Sequence, residues 1–275
     1  MSESVLTTTK ELTVAVAAAR RGGQVLRRFA SEGVTMRDKT AVGGKSYDLV
    51  SDADVQSEQA VASEIRSAFP GHQIVGEEEA AGDVSAADVW IIDPLDGTNN
   101  FAHGVPHYAV SIGYYRDGMP TVGAVLNVPT GVLYTAVRGG GATMTTADGV
   151  SSPMRCGDQT SLDQVLIGCG FYYDRGEMMR RTLRSIETLF ARDIHGIRRY
   201  GTASLDLAMV ASGMFGAFFE YELSLWDFAA GALLVTEAGG RVSTTQGTGL
   251  PMGRTSVLAA GAGVYEAVLE VVGAA

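Results

Sequence analysis

The sequence predicts a mixed α/β fold, and two patterns along the chain carry that prediction. In the first half, helical segments precede strands whose apolar and polar residues alternate, which is typical of helices packed on an antiparallel sheet. In the second half, short apolar strands alternate with helices, the order that builds a mostly parallel sheet covered on both faces. We expect residues 1–275 to form a single domain, with an α+β half over about 1–145 and an α/β half over about 150–275.

The first half opens with two predicted helices. The first spans residues 9–30 and begins at a capping box formed by Thr8 and Glu11. The second spans residues 52–69 and ends at a Pro-Gly pair. Between them, residues 34–47 carry a Gly-Gly pair and two lysines, and we expect a mobile hairpin or loop there.

The other predicted elements follow from the spacing of apolar residues. First-half strands are predicted at residues 72–76, 89–92, 108–115, 121–127 and 132–138. Residues 139–152 are the predicted connection between the halves. Beyond that connection, strands are predicted at 165–170, 197–200, 215–220 and 256–260, alternating with helices at 177–191, 203–212, 226–238 and 264–272.

Composition excludes several classes of protein. The formal net charge of -10 argues against a nucleic-acid-binding surface, which needs clustered Lys and Arg. The two cysteines cannot build the disulfide framework of a small secreted protein. We expect a soluble, cytoplasmic protein with no membrane association, because the chain shows neither a signal peptide nor an apolar stretch long enough to span a bilayer.

The segment from Trp90 to Phe101 carries the clearest chemical signal. A buried strand delivers Asp93, a proline ends the strand, and Asp96 follows three positions after the first carboxylate. Gly97 then offers a tight bend and free N–H groups. Hard divalent cations take oxygen ligands, and phosphate is bound by backbone N–H groups. An Asp-Gly turn that merely caps a strand is the alternative, but it leaves a buried carboxylate unpaired.

Four motifs in this sequence resemble those of the inositol monophosphatase family. Residues 93–101 match its D-P-[LI]-D-G-[ST]-x-N-F motif, and residues 226–231 match its W-D-x-A-A-G motif. Residues 48–54 and 76–78 resemble its D-x-V-[TS]-x-x-D and G-E-E elements, so the resemblance covers about residues 39–261. It implies a layered α/β/α/β/α sandwich of the sugar-phosphatase type.

Four carboxylates at strand ends or helix starts are the predicted metal ligands: Glu77, Asp93, Asp96 and Asp227. Their convergence without lysines requires cations, and an oxygen-only ligand set favours Mg²⁺ over zinc. The family resemblance implies two to three Mg²⁺ ions. One is held by Glu77, Asp93 and the Leu95 carbonyl, a second by Asp93, Asp96 and Asp227, and a weaker third lies beside Glu77.

The resemblance also implies the catalytic and phosphate-binding residues. Thr98, backed by Asp54, would accept the proton of the attacking water, and the N–H groups of Gly97 and Thr98 would receive the phosphate. For Asp54 a second interpretation stays open, exposure on the polar face of the helix predicted at 52–69. Asp48 is the less certain residue of this element.

The leaving group would be recognised elsewhere. The resemblance places Glu220 against a sugar or cyclitol hydroxyl and assigns Gly201, Thr202 and Ala203 to the same pocket. Glu220 could also simply finish a strand, and Gly201 with Thr202 could simply cap a helix.

The implied activity is Mg²⁺-dependent hydrolysis of a small phosphomonoester by a lithium-sensitive homodimer, with inositol monophosphate as the first candidate. Fructose-1,6-bisphosphate, histidinol phosphate and 3′-phosphoadenosine 5′-phosphate are rival substrates. A member that acts mainly as a regulator binding a protein or RNA is the alternative of another class. The intact carboxylates argue against that alternative, and the acidic composition argues against RNA.

Overall fold

A computed structural model describes residues 9–33, 36–38 and 49–275. Strand β1 (Met36–Asp38) pairs antiparallel with β2 (Leu49–Ser51), and the two strands form a small two-stranded sheet. The rest of the loop predicted at residues 34–47, and Asp48, lie outside the described residues.

Two helices cover one face of the seven-stranded sheet, which is called the first sheet below. They are α1 (Lys10–Glu32) and α2 (Asp52–Ala68), close to the predicted bounds. The predicted cap of α1 is wrong by one residue, because Thr9 is the N-cap and its Oγ1 accepts a hydrogen bond from the backbone N of Leu12 at 3.0 Å. An extended Thr9 backbone aims this hydroxyl at the first turn.

The first sheet has seven strands in sequential order. Only β3 and β4 are parallel, and every later neighbour is antiparallel. The strands are β3 (Gln73–Gly76), β4 (Asp88–Asp96), β5 (Ala109–Arg116), β6 (Met119–Asn127), β7 (Leu133–Val137), β8 (Gly141–Thr145) and β9 (Ser151–Pro153). The structure differs from the sequence prediction at residues 139–152, which form β8 and begin β9. Residues 141–145 pair with β7, and the side chain of Ala142 is buried in the core, so the segment extends the sheet.

The second sheet has five strands in the order β11-β10-β12-β14-β13. Its strands are β10 (Leu166–Cys169), β11 (Gly196–Arg198), β12 (Ala217–Leu223), β13 (Arg241–Ser243) and β14 (Thr255–Ala260). Strand β10 is parallel to both of its neighbours, whereas β14 is antiparallel to β12 and β13. The prediction of a mostly parallel sheet is therefore wrong, because β14 runs antiparallel to both of its neighbours and the sheet is mixed. Its short edge strand β13 was not predicted.

Helices and sheets alternate in five layers, which confirms the predicted sandwich. The remaining helices are α3 (Thr98–Ala102), α4 (Glu177–Phe190), α5 (Ala203–Ala211), α6 (Leu225–Glu237) and α7 (Tyr265–Ala274). Helices α1 and α2 pack on one face of the first sheet, and α5 with α6 fills the space between the sheets. Helices α4 and α7 cover the outer face of the second sheet. Because a sheet lies on each side of α5 and α6, these two helices are apolar on nearly all sides.

No helix in the described part of the chain combines the length and apolar character needed to cross a bilayer. Cys169 is buried and Cys156 is half-buried, and both are free thiols.

Candidate functional site

Strand β4 carries two of the predicted carboxylates on an irregular end. Its pairing with β5 shifts register between Asp93 and Asp96. The sequence prediction that Pro94 ends the strand is wrong, because β4 continues to Asp96. A proline is tolerated at such an irregularity since no ladder hydrogen bond needs its nitrogen. The Pro94 carbonyl accepts a hydrogen bond from Ser57 Oγ at 2.8 Å, and Asp93 Oδ1 accepts one from Leu95 N at 3.0 Å.

Helix α5 holds the second of these carboxylates. Asp96 Oδ2 accepts hydrogen bonds from the backbone N of Ser204 at 2.7 Å and from its Oγ at 2.6 Å. The two residues are 108 positions apart in the chain. This contact ties the end of β4 to the first turn of α5, directly after the predicted Gly-Thr-Ala turn.

Asp227 is fixed by the start of α6. It occupies the third position of the helix, and its Oδ2 accepts a hydrogen bond from the backbone N of the N-cap residue Ser224 at 2.7 Å. The carboxylate therefore completes a capping box while it lines the pocket.

Glu77 follows β3 on a turn shaped by a buried carboxylate that the sequence analysis missed. Glu58, on the buried side of α2, accepts hydrogen bonds from the backbone N atoms of Glu78, Glu79 and Ala80 at 2.9, 2.6 and 2.7 Å. Three charge-assisted bonds to consecutive N–H groups fix this turn. The signal was present, since Glu58 lies four residues after Asp54 and so shares its face of the helix.

These carboxylates meet in one pocket of about 460 Å³. Six acidic residues line it: Glu77, Asp93, Asp96, Asp206, Glu220 and Asp227. Burial, together with repulsion from Glu77, Asp96 and Asp227, raises the pKa of Asp93 well above its usual range. Burial likewise raises the pKa of Asp227 well above its usual range, and that of Asp96 to about 6 against the hydrogen bonds from Ser204.

The pocket fits hard cations by its chemistry, although it presents no closed coordination shell. Among the described residues, no group of three His, Cys, Asp or Glu side chains is arranged to hold a metal ion as it stands. A backbone N–H group donates a hydrogen bond to one oxygen of each of Asp93, Asp96 and Asp227. Buried carboxylates that repel one another are stabilised by bound cations, so the donor set suits Mg²⁺.

The structure brings Thr98 and Asp54 together. Asp54 is 1% exposed, so the alternative of an exposed helix face is wrong. Its Oδ2 accepts hydrogen bonds from the N and Oγ of Ser51 at 2.8 and 2.6 Å, and its Oδ1 accepts one from Thr98 Oγ1 at 3.2 Å. The Leu95 carbonyl lies 3.0 Å from the same hydroxyl and is its other acceptor. Burial raises the pKa of Asp54, and the hydrogen bonds from Ser51 and Thr98 oppose that rise.

Gly97, directly after β4, lies close to Thr202 and His107. Its φ of +94° is left-handed, and a Cβ there would lie 2.5 Å from Thr202 Oγ1 and 3.1 Å from the His107 carbonyl oxygen. Thr202 Oγ1 donates to that carbonyl at 3.0 Å and accepts from Asn100 Nδ2 at 3.2 Å. Thr202 is the N-cap of α5, but its hydroxyl does not cap the helix. Only glycine fits between these loops.

Gly97→Ala is therefore expected to destabilise the protein more than Gly104→Ala. Both glycines have positive φ, at +94° and +69°, so each substitution costs about 1–2 kcal/mol of conformational energy. Only Gly97 faces close neighbours, which adds about 1–3 kcal/mol of overpacking. Urea unfolding of both variants measures the difference, and equal losses of unfolding free energy would show that the contact with Thr202 is unimportant.

Glu220 lies on β12 and also lines the pocket. Its pairing with β14 shifts register between Glu220 and Leu223, so it does not simply finish a regular strand. The carboxylate packs against the backbone of Gly170, where any side chain would overlap it. Burial raises the pKa of Glu220 to about 8, partly offset by the positive charge of Arg199. Arg199 lies over Gly201, whose φ is +78°.

This pKa shift predicts a pH-dependent stability in the absence of metal ions. The usual pKa is 4.5 and the folded value is about 8, so the folded protein holds this proton more tightly than the unfolded chain. The resulting stabilisation is complete below pH 4.5 and is lost as the pH rises through about 8. We expect the Tm in EDTA to fall between pH 5 and 8, and Glu220→Gln to flatten that slope. Differential scanning fluorimetry compares the two, and parallel slopes would contradict the assignment.

Several other residues of the pocket were not predicted. They are Asp206, Arg199, Arg254 and the aromatic segment Phe171, Tyr172 and Tyr173. Ser204, which donates to Asp96 from outside the pocket lining, was not predicted either. Ser204 and Asp206 follow the predicted Gly-Thr-Ala turn within the first turns of α5, which is the signal that could have found them. Leu95, Gly97, Thr98, Gly201, Thr202 and Ala203 all line this pocket, together with the predicted carboxylates.

Comparisons with known proteins agree with this geometry. The model of the inositol monophosphatase family matches residues 8–273. The inositol-1-monophosphatase of Rhizobium meliloti is 37% identical over 263 residues, covering 95% of each chain. The Nus factor SuhB of Pseudomonas aeruginosa is 38% identical over 268 residues, again covering 95% of each chain. The crystal structure of the extragenic suppressor protein suhB from Bartonella henselae superimposes with a TM-score of 0.87 at 31% identity, over 96% of this chain and 98% of the other.

Proposed function

Because the chain belongs to the inositol monophosphatase family, we propose that it hydrolyses a small phosphomonoester with Mg²⁺, inositol monophosphate being the first candidate. One observation carries the proposal: four carboxylates share a single pocket with Thr98, whose hydroxyl donates a hydrogen bond to Asp54 behind it. Carboxylates suit cations that bind a phosphate, and a hydroxyl backed by a carboxylate suits the activation of water.

The proposed cation sites use the residues of both main motifs. Glu77, Asp93 and the Leu95 carbonyl would hold one Mg²⁺, and Asp93, Asp96 and Asp227 a second, with a third beside Glu77. When bound, the ions would lower the pKa of the attacking water and neutralise charge on the phosphate. The protein holds Asp93, Asp96 and Asp227 in place through hydrogen bonds to one oxygen each.

The proposed proton acceptor is the Thr98–Asp54 pair. When Thr98 Oγ1 donates its hydrogen to Asp54 Oδ1, a lone pair of the same oxygen is left to accept a hydrogen from water. The water proton would pass to Thr98 as the threonine proton passes to Asp54. Burial, which raises the pKa of Asp54, makes it a better base than an exposed aspartate.

The phosphate and leaving group would contact different residues. Gly97 and Thr98 lie where the α3 helix begins, and their N–H groups would donate to phosphate oxygens. Glu220 would accept a hydrogen bond from a hydroxyl of the leaving group. Lithium inhibition and a homodimer belong to the same proposal and are supported by the family alone.

A substrate panel tests the proposal. Inositol 1-phosphate, fructose-1,6-bisphosphate, histidinol phosphate and 3′-phosphoadenosine 5′-phosphate are each incubated with the protein and Mg²⁺, and phosphate release is measured. We expect the highest kcat/KM for inositol 1-phosphate. A different preferred substrate would correct the substrate, and no release from any of them would overturn the proposed function.

A regulatory role through binding of a protein or RNA is the second candidate function. The observation that favours it is the name Nus factor SuhB given to the Pseudomonas aeruginosa relative. The net charge of -10 weighs against RNA. Gel-shift assays with labelled RNA at low and physiological salt test that arm, and a shift that persists at physiological salt would favour it.

A further inference from the structure

Ser111 carries a buried hydroxyl group beside the proposed metal ligands, and nothing so far gives it a role. It lies on β5 and is 1% exposed, and its Oγ atom has no hydrogen-bond partner among the residues that the structure describes. A buried polar group left unpaired costs about 1–3 kcal/mol and is uncommon in folded proteins. The hydroxyl therefore indicates a partner that lies within reach of a side-chain rotation.

The first sheet places Ser111 directly opposite Asp93. The two residues are paired across β4 and β5, at the last position before the register shift that leads to Asp96. Directly paired residues of antiparallel strands point to the same face of the sheet, with their Cβ atoms about 4.5–5.5 Å apart. Helix α6 covers that face, because Gly113, two residues further along β5, lies against Ala229. The Ser111 side chain is thus a neighbour of the proposed bridging ligand.

The other residues aligned with Ser111 in the sheet offer no acceptor side chain. On its other side, β6 pairs Val125 with it. Along β5, its neighbours on the same face are Ala109 and Gly113. A serine side chain can rotate about χ1 among three staggered positions, so the hydroxyl can turn towards Asp93 without movement of the backbone.

The carboxylate of Asp93 has an acceptor site for this hydroxyl. An ionised carboxylate offers about four lone-pair sites, two on each oxygen. Leu95 N donates to Oδ1 at 3.0 Å, which fills one of them. A carboxylate that bridges the two proposed cations uses one further site on each oxygen. The site that is left belongs to Oδ2.

We propose that Ser111 is a positioning residue for Asp93, whose Oδ2 accepts a hydrogen bond from Ser111 Oγ when the carboxylate bridges the two cations. This inference rests on the cation sites of the proposed function. A hydroxyl that donates to an ionised carboxylate forms a short, strong hydrogen bond. With Leu95 N on one oxygen and Ser111 on the other, both oxygens of the bridging carboxylate are held in orientation.

Magnesium binding by Ser111→Ala tests this role without relying on turnover. We expect the Mg²⁺ concentration at half-saturation, measured by isothermal titration calorimetry, to rise roughly 10- to 100-fold, the range for losing a partner that orients a metal ligand. Ser111→Cys keeps nearly the size of the side chain but donates only weakly, so it should also bind Mg²⁺ less tightly than the wild type. Ser152→Ala, on β9 of the same sheet, is the matched control and should bind Mg²⁺ as the wild type does.

Thermal melts in EDTA separate this role from a contribution to the fold. The Tm of Ser111→Ala should not fall there, because the substitution removes a buried hydroxyl that has no partner in the described part of the chain. A fall in that Tm would overturn the inference. Wild-type Mg²⁺ affinity in Ser111→Cys would show that packing matters and the hydrogen bond does not, which would overturn it as well.

Failure of the inference is distinguishable from failure of the proposed function. Wild-type Mg²⁺ affinity in Ser111→Ala would overturn the role of Ser111 alone. If the wild-type protein itself binds no Mg²⁺, the proposed cation sites fall and the inference falls with them.

Discussion

Asp93→Asn is expected to lower the rate of phosphate release by about 10³-fold or more, because both proposed Mg²⁺ sites use Asp93 and a lost metal ligand would remove several kcal/mol of transition-state stabilisation. Repulsion from Glu77, Asp96 and Asp227 adds to the burial of Asp93 and raises its pKa. Asparagine keeps the shape and the acceptor oxygen that Leu95 N contacts, but loses the charge that the cations need. Steady-state phosphate release with Mg²⁺ measures the loss.

Thermal melts separate the loss of metal binding from a loss of fold. In EDTA the Asp93→Asn variant should be at least as stable as the wild type at neutral pH, because one of four repelling carboxylates is gone. The rise in Tm that Mg²⁺ gives the wild type should be absent. Asp163→Asn controls for the substitution itself. A variant that retains Mg²⁺-dependent turnover would show that Asp93 does not bridge the cations.

Thr98→Ala is expected to lower kcat by roughly 10²- to 10⁴-fold with little change in KM, the range for removing positioned acid–base catalysis. The hydroxyl is the link between the proposed water and Asp54. Thr98→Ser keeps that hydroxyl and should restore most of the rate. Asp54→Asn should reduce kcat in the same way, while its remaining carbonyl oxygen can still accept the capping hydrogen bond from Ser51 N.

The rescue by serine is the decisive comparison for this pair. If Thr98→Ser is as slow as Thr98→Ala, the methyl group and packing matter and the proton path is wrong. If both variants mainly raise KM, Thr98 binds the substrate and does not activate the water.

The sequence was sufficient to predict the position of residues whose side chains are held by their immediate neighbours. The carboxylates at 93 and 96 lie on one strand end, and the capping boxes at Ser51 and Ser224 place Asp54 and Asp227 at helix starts. Local patterns of this kind are legible because the residues that hold each side chain lie within a few positions of it.

Residues that act through contacts distant in sequence were not predicted. Ser204 holds Asp96 across 108 positions, and Glu58 shapes the turn after Glu77 from a helix that begins 25 residues before it. Asp206 follows the predicted Gly-Thr-Ala turn, but a lone aspartate in the first turns of a helix is usually explained as a favourable charge near the helix dipole. Its burial and unpaired oxygen become visible only when α5 is packed between the two sheets.

At Pro94 the sequence led to a wrong prediction, the end of a strand. Proline usually ends a strand, but here Ser57 binds its carbonyl and the irregular register carries β4 on to Asp96. The Gly-rich stretch at 139–152 was predicted as a connection, but hairpin pairing with β7 makes it β8 and the start of β9.

The most direct test of the account is phosphate release from inositol 1-phosphate by the wild-type protein, measured with Mg²⁺, with EDTA, and with EDTA followed by excess Mg²⁺. Carboxylates that repel one another in a shared pocket need cations before they can contribute to hydrolysis. The account predicts saturable release with Mg²⁺, none with EDTA, and full recovery when Mg²⁺ is returned. Undiminished turnover in EDTA would contradict it.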